Sequence, residues 1–280
     1  MLLSCEKIYK PSAAKSKLVI NSNFNPLDTP WILQISKTAN PYENDEIVPI
    51  LNAAVSVSSD NGLNDKFKHL SDGTYVFKYI PQAKQDYEIH IKCDGYDEVF
   101  AKSAIPDKDS ISYYKKELIT NQEGEKNIKF TFTDYSLKES FLIIKHIVYK
   151  EIVSLNNDTI PFLDTVWIQG VGDIFEQILP DYANTKIIFV DKKAGVKDIS
   201  FQSYDGFQKD DNLIKGISEI EVCFCSKEYF EYQKSLELYK WNNKAVNTSI
   251  VNSTSLYSNI EDGLGIFAGY NKRILIDTFK

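Results

Sequence analysis

The segment Ser258-Asn259-Ile260-Glu261-Asp262-Gly263-Leu264-Gly265-Ile266-Phe267-Ala268-Gly269-Tyr270 limits what this chain can become more than any other. Glycines at 263, 265 and 269 stand among Leu264, Ile266 and Phe267. A glycine inside a helix costs about 1 kcal/mol relative to alanine, so this spacing argues against a helix. In a strand the same glycines have a use, because they leave room for another backbone or a large ring to approach closely. The tail therefore reads as a tightly packed strand. Asn259, Gly263, Gly265, Phe267, Gly269 and Tyr270 read as determinants of that packing rather than as a reactive site.

The rest of the chain is also written mainly in strands. Leu18-Val19-Ile20, Trp31 to Ile35, Ala53 to Ser58, Gly73 to Tyr79 and Tyr87 to Lys92 are short apolar or alternating runs. Turn residues bound them, as at Asn25-Pro26, Asn40-Pro41, Asn61-Gly62 and Asp94-Gly95. Turns about every ten residues predict a β-sandwich of immunoglobulin-like or transthyretin-like type over residues 17–106. Pro106-Asp107-Lys108-Asp109-Ser110 breaks the pattern and sets the expected boundary. Residues 107–280 then read as a second β-rich domain, with strands at Asn127–Asp134, Phe141–Tyr149, Lys186–Asp191 and Ile217–Cys225. One helix is expected near 226–241. Ser226 is a fitting N-cap, Glu228 lies in the first turn, and Tyr229, Tyr232, Leu236 and Tyr239 recur at helical spacing. Gly263–Tyr270 and Arg273–Thr278 read as the two closing strands of the second domain.

Composition narrows the function. A formal charge of -7 and a pI near 5.2 give no basic surface for nucleic acid. Arg273 is the only arginine, so bidentate guanidinium recognition of phosphate or carboxylate is nearly closed to this chain. Seventeen tyrosines and sixteen phenylalanines are read first as sheet and core residues. Cys223 and Cys225 fall on one face of a strand, where neighbours are poorly placed for a mutual disulfide; with scattered histidines at 69, 90 and 146 they do not make a zinc pattern. They are expected to be buried free thiols. No hydrolase, nucleotide or zinc-protease motif occurs. Gly263-x-Gly265-x-x-x-Gly269 has the wrong spacing and the wrong context for dinucleotide binding. Acidic residues at 205–212 are read as a solvated turn rather than a calcium loop, and Asn157, Asn247 and Asn252 as loop residues rather than glycosylation sites. The expectation is a protein that is not an enzyme, with no cofactor and no metal. A hydrolase with paired carboxylates in a cleft is the distant alternative.

The head carries a second signal. Leu2-Leu3-Ser4-Cys5 has the form of a lipobox: apolar residues and a small residue ahead of a cysteine whose thiol can take a lipid. No charged stretch and no apolar stretch of signal length precedes Cys5, so either the signal begins upstream of Met1 or the cluster is fortuitous. Lipidation at Cys5 is the expectation carried forward, with residues 1–16 as signal remnant and polar tether. No run of 18 apolar residues follows.

Taken together, the lipobox, the Lys17-Leu18-Val19-Ile20 strand, Gly73-x-Tyr75, the Glu228 to Leu236 helix and the Ser258 to Tyr270 motif resemble the domain of unknown function 4249 family, outer-membrane lipoproteins of the Bacteroidota. The last motif is the specific one. The resemblance implies a sandwich-like front half, a second β domain with one conspicuous helix, and a place at the cell surface held by a lipid at Cys5. Because such proteins are typically encoded beside TonB-dependent receptors, it also implies a role as a capping or ligand-capture subunit of such a transporter. The family has no established catalytic residues to carry over. The alternative is a stand-alone module that binds glycan or protein at the surface.

Overall fold

The computed structural model describes residues 15–39, 47–120, 126–135, 138–153, 158–171, 173, 175–176, 186–203, 213–244 and 255–279. The chain is mainly β, built as two packed sandwiches with one helix among the described residues. The first lobe uses β1 (Leu18–Phe24), β2 (Trp31–Lys37), β3 (Val48–Pro49), β4 (Ala54–Ser59), β5 (Asn64–Lys66), β6 (Lys68–Ser71), β7 (Thr74–Phe77), β8 (Gln85–Lys92) and β9 (Val99–Ile105). The second uses β10 (Ile111–Thr120), β11 (Lys126–Asp134), β12 (Ser140–Val153), β13 (Thr159–Thr165), β14 (Ile168–Val171), β15 (Phe175–Glu176), β16 (Ile188–Lys192), β17 (Asp198–Ser203) and β18 (Leu213–Cys225). Helix α1 (Lys227–Lys244) and the last strand, β19 (Leu264–Phe279), complete the chain.

Alternation in the first lobe does what the period of two requires. Leu18, Ile20, Leu33, Ile35, Ile89 and Ile91 point inward, between the sheet that carries β1, β2 and β7 and the facing sheet β5-β4-β8-β9. An aromatic group fills the centre: Phe24 lies 4.5 Å from Trp31 and 5.6 Å from Tyr87 between ring centroids. The indole of Trp31 is buried because its N–H has a partner, the Ser22 hydroxyl at 3.0 Å. In the second lobe the sheet β10-β11-β17-β14 packs on β12, β16 and β18, burying Phe130, Phe132, Phe201, Leu142, Val222 and Phe224.

The lobes share one strand. β19 runs parallel to β1 over Leu264–Gly269 and antiparallel to β18 over Tyr270–Phe279, joining both lobes in one continuous sheet of order β15-β16-β12-β18-β19-β1-β2-β7-β6. Where two closing strands were expected, there is one of 16 residues. Pro106 lies between β9 and β10, and the first half of the glycine-rich tail lies in the first lobe, where Phe267 is part of the core. The assignment of the whole tail to residues 107–280 is therefore corrected by its pairing with β1.

Helix α1 begins where its cap places it. The Ser226 hydroxyl accepts the Tyr229 N–H at 3.1 Å, and the Ser226 carbonyl accepts the first intrahelical bond from Phe230. Phe230 is fully buried against Ile143, Phe189, Cys223 and Cys225 on the outer face of the β12-β18 sheet.

Candidate functional site

The residues of the tail motif have packing or hydrogen-bond contacts that can be traced one by one. Asn259 acts as a one-residue strand: its side-chain amide donates to the Phe267 carbonyl at 2.8 Å and accepts the Phe267 N–H at 3.0 Å. The same amide donates to the Lys102 carbonyl at 3.2 Å, and the Glu261 N–H bonds the Phe100 carbonyl at 3.0 Å. The edge of β9 is thereby sealed by residues 259–261. Gly265 has φ +107, and a Cβ there would stand 1.9 Å from the Ile20 carbonyl oxygen. A Cβ on Gly269 would stand 2.3 Å from the Ala104 carbonyl oxygen, and one on Gly263 2.8 Å from the Ile260 side chain. Phe267 lies 4.7 Å from Phe24 and stacks on Trp31 at 5.9 Å. Tyr270 stacks on Tyr229 at 4.6 Å and accepts a bond from the Asn25 amide at 2.8 Å. Buried Ser103 ties the pieces together, accepting from the Gly269 N–H at 3.2 Å and donating to Glu228 at 3.0 Å. Cys5, the expected lipidation site, lies outside the described residues, as do Asn157, Asn247, Asn252 and the acidic turn at 205–212.

The buried titratable groups are arranged for stability. His146 is wholly buried between Ser203 Oγ at 2.9 Å and Ser218 Oγ at 2.6 Å, with the Phe130 ring edge-on at 5.2 Å. Burial, helped by the charge of Lys116, lowers its pKa to about 4, so the imidazole is neutral, donating to one serine and accepting from the other. Lys192 and Asp134 form an ion pair at 3.1 Å with both side chains fully buried. The ammonium also donates to the carbonyls of Lys138 at 3.0 Å and Val196 at 3.3 Å. Its donors thus meet acceptors, the condition for keeping a charge inside a protein. Cys223 and Cys225 are free and buried with sulfurs 3.7 Å apart; burial pushes the Cys225 thiol upward, away from the reactive thiolate. Burial likewise raises Tyr229 and Tyr270 above them. Among the described residues no cluster of three His, Cys, Asp or Glu side chains is placed to hold a metal ion.

One concave site is small. A depression of about 140 Å³ beside the β1–β2 turn is lined by Asn23, Phe24, Asp28, Pro30, Trp31 and Ile32, well under the ~300 Å³ at which small-molecule sites begin. The surface itself is more informative. On the outer face of the second lobe, cross-strand register sets side chains in rows. Two rows, centred on Phe141–Cys225–Tyr270 and Ile143–Cys223, are covered by α1. The next three lie beyond it: Lys145–Glu221–Ile274, then Thr165–Ile147–Glu219–Ile276, then Leu163–Tyr149–Ile217–Thr278. Here Ile276 is 68% exposed, Leu163 62%, Ile274 48% and Tyr149 39%. Isolated exposed apolar residues are ordinary, but neighbours in register across four strands form a patch.

Fold and surface together define a class: a two-lobed β-sandwich protein with exposed apolar side chains in register on one sheet face. The chain belongs to the DUF4249 family (domain of unknown function), whose model matches residues 6–274. No curated protein matches it. Among solved structures it is similar to a DUF4785 family protein from Legionella pneumophila, at 9% identity and TM-score 0.26, with 75% of this chain and 52% of that one covered. It is also similar to Salmonella alpha-2-macroglobulin reacted with methylamine, at 9% identity and TM-score 0.27, covering 80% and 14%. A third is the collagen binding domain of Erysipelothrix rhusiopathiae surface protein RspB, at 9% identity and TM-score 0.20, covering 94% and 97%. This chain thus spans about half of the Legionella protein and a small part of the macroglobulin. Likeness at this level carries no argument about function.

Proposed function

We propose that this protein is a non-enzymatic accessory subunit, a lipoprotein held at the outer-membrane surface through Cys5 that caps or feeds a TonB-dependent transporter. The observation that carries the partner role is the open half of the second lobe's outer face, where Ile147, Tyr149, Leu163, Ile217, Ile274 and Ile276 stand in register next to rows that α1 covers. Sheet faces of this composition are covered when they have a partner. Family membership and the lipobox at Leu2–Cys5 support the address. No helix among the described residues is long and apolar enough to cross a membrane, so in this reading the lipid holds the protein in place.

The test is recovery of the tagged protein, expressed from its own locus, from gently solubilised outer membranes, followed by mass spectrometry. A TonB-dependent receptor in stoichiometric amount is the expected result. Recovery of the protein alone from the membrane fraction would overturn the accessory role and favour a stand-alone surface module binding glycan or protein. Replacement of Cys5 by alanine should release the protein from the membrane fraction.

A further inference from the structure

The proposed anchor at Cys5 leaves open which part of the body meets the membrane; this inference rests on that anchor and deepens it. Strand directions give the first lobe two ends. β1 and the first half of β19 run side by side from Leu18 and Leu264 toward the second lobe, and β9 runs with them. β2 and β8 run the other way and finish at Lys37 and Lys92. The end away from the second lobe therefore carries the β8–β9 turn, the start of β3 and the link from β3 to β4, where Cys93 meets Asn52. The chain also enters the fold here: Lys15 bonds Asp97 at 2.7 Å, and Ser16 and Lys17 bond Thr38 at 3.3 and 3.1 Å. At this same end Ile47 is 80% exposed, Leu51 54%, Leu264 42% and Val48 41%. Leu27, Ile32 and Ile80 are exposed too, but they lie toward the second lobe.

We propose that this end of the first lobe rests on the lipid bilayer, with Ile47, Val48, Leu51 and Leu264 entering the boundary between headgroups and acyl chains. Two observations choose a lipid surface over other occupants. Cys5 stands ten residues before Lys15, so a lipid on Cys5 lies within about 36 Å of Lys15 even along a fully extended chain. The bilayer is thereby kept beside this end at a high effective concentration, whereas a soluble partner has to be recruited. Charge points the same way. Lys15 pairs with Asp97 at 2.7 Å and Lys92 with Glu98 at 3.2 Å, and Lys17, Lys37, Asp94, Glu261 and Asp262 lie at the same end. Signs so mixed select no charged partner, while burial of apolar side chains needs no particular headgroup. In this pose β19, 16 residues long, rises away from the membrane and carries the second lobe up to about 50 Å above it, at roughly 3.3 Å per residue.

The test uses the whole chain held on phosphatidylcholine vesicles through an N-terminal histidine tag and a nickel-chelating lipid, so that it does not depend on acylation. Leu51→Trp adds emission that acyl-chain-brominated lipid should quench. Leu27→Trp, toward the other end of the lobe, adds emission that the same lipid should leave intact. Ile47→Trp serves as a second reporter should the first disturb folding. Ile47→Glu combined with Leu51→Glu should speed release by imidazole about ten-fold or more, with thermal stability unchanged. Equal quenching of the two added indoles, quenching of neither, or unchanged release would each overturn the assignment. So would a concentration-dependent dimer in sedimentation that the double variant dissolves, since this end would then belong to a second copy. Quenching at Leu51→Trp, in a protein whose Cys5 carries no acyl chain when expressed from its own locus, removes the anchor and leaves the surface standing. An acylated Cys5 without quenching does the reverse.

Discussion

At the scale of single residues, the tail shows how little freedom a close approach leaves. Gly265 is fixed twice, by a positive φ and by the Ile20 carbonyl where its Cβ would sit. Gly265→Ala must both strain its backbone and push two paired strands apart. Strain alone costs about 1–3 kcal/mol, and the clash adds to it, so a loss of about 3 kcal/mol or more is expected in urea unfolding. A loss below about 1 kcal/mol would refute this account of the motif. His146 gives a prediction in pH. Its folded pKa of about 4 lies below the ordinary value of 6.5, so the unfolded chain takes up a proton first as acid is added. The contribution is fully present above about pH 6.5, falls between 6.5 and 4, and amounts to about 3 kcal/mol at 1.36 kcal/mol per pH unit. Other groups titrate in that window too. The measurement is therefore the difference in slope between the parent and His146→Gln, and parallel curves would contradict a buried neutral imidazole.

At the scale of elements, caps and ion pairs hold neighbours in place. Ser226→Ala removes the acceptor for the Tyr229 N–H and should cost about 1 kcal/mol, seen as faster hydrogen exchange in the first turn of α1. Lys192 at the end of β16 and Asp134 at the end of β11 pin one sheet of the second sandwich to the other. Lys192→Met alone leaves a buried carboxylate and should cost about 3–5 kcal/mol, whereas Lys192→Met with Asp134→Leu should recover most of that loss. A double-mutant cycle checks it, and additive losses would mean that the pair is not coupled. Elements were also the level at which the sequence was most legible. Alternation in Tyr87–Lys92 and Asn127–Asp134, and the Ser226 cap, are local signals with local causes, and strands and helix formed there. What the tail glycines approach was not legible. Residues 264–269 pair with residues 19–24, some 245 positions away, and a parallel partner leaves no trace in local spacing. Nor could the open face be read. In Phe141–Tyr149 both faces of the strand are largely apolar, so alternation cannot say which one the chain itself covers.

At the scale of the molecule, β19 makes two sandwiches into one cooperative body. Its first six residues complete the core of the lobe built by residues 17–106, through Phe267, and its remainder pairs with β18. A fragment ending at residue 106 should lack a cooperative melting transition, and fusing residues 258–270 to it through a flexible linker should restore one. A sharp transition in the fragment without the tail would show that the shared strand is dispensable. Because β19 follows β1 to β18 and α1 in the chain, there is also a direction in time. A ribosome can finish the front sandwich only after it has made β10 to β18 and α1, so the front lobe stays open while most of the second is synthesised. A chain cut short by premature termination would present an open core to quality control instead of passing as half a protein.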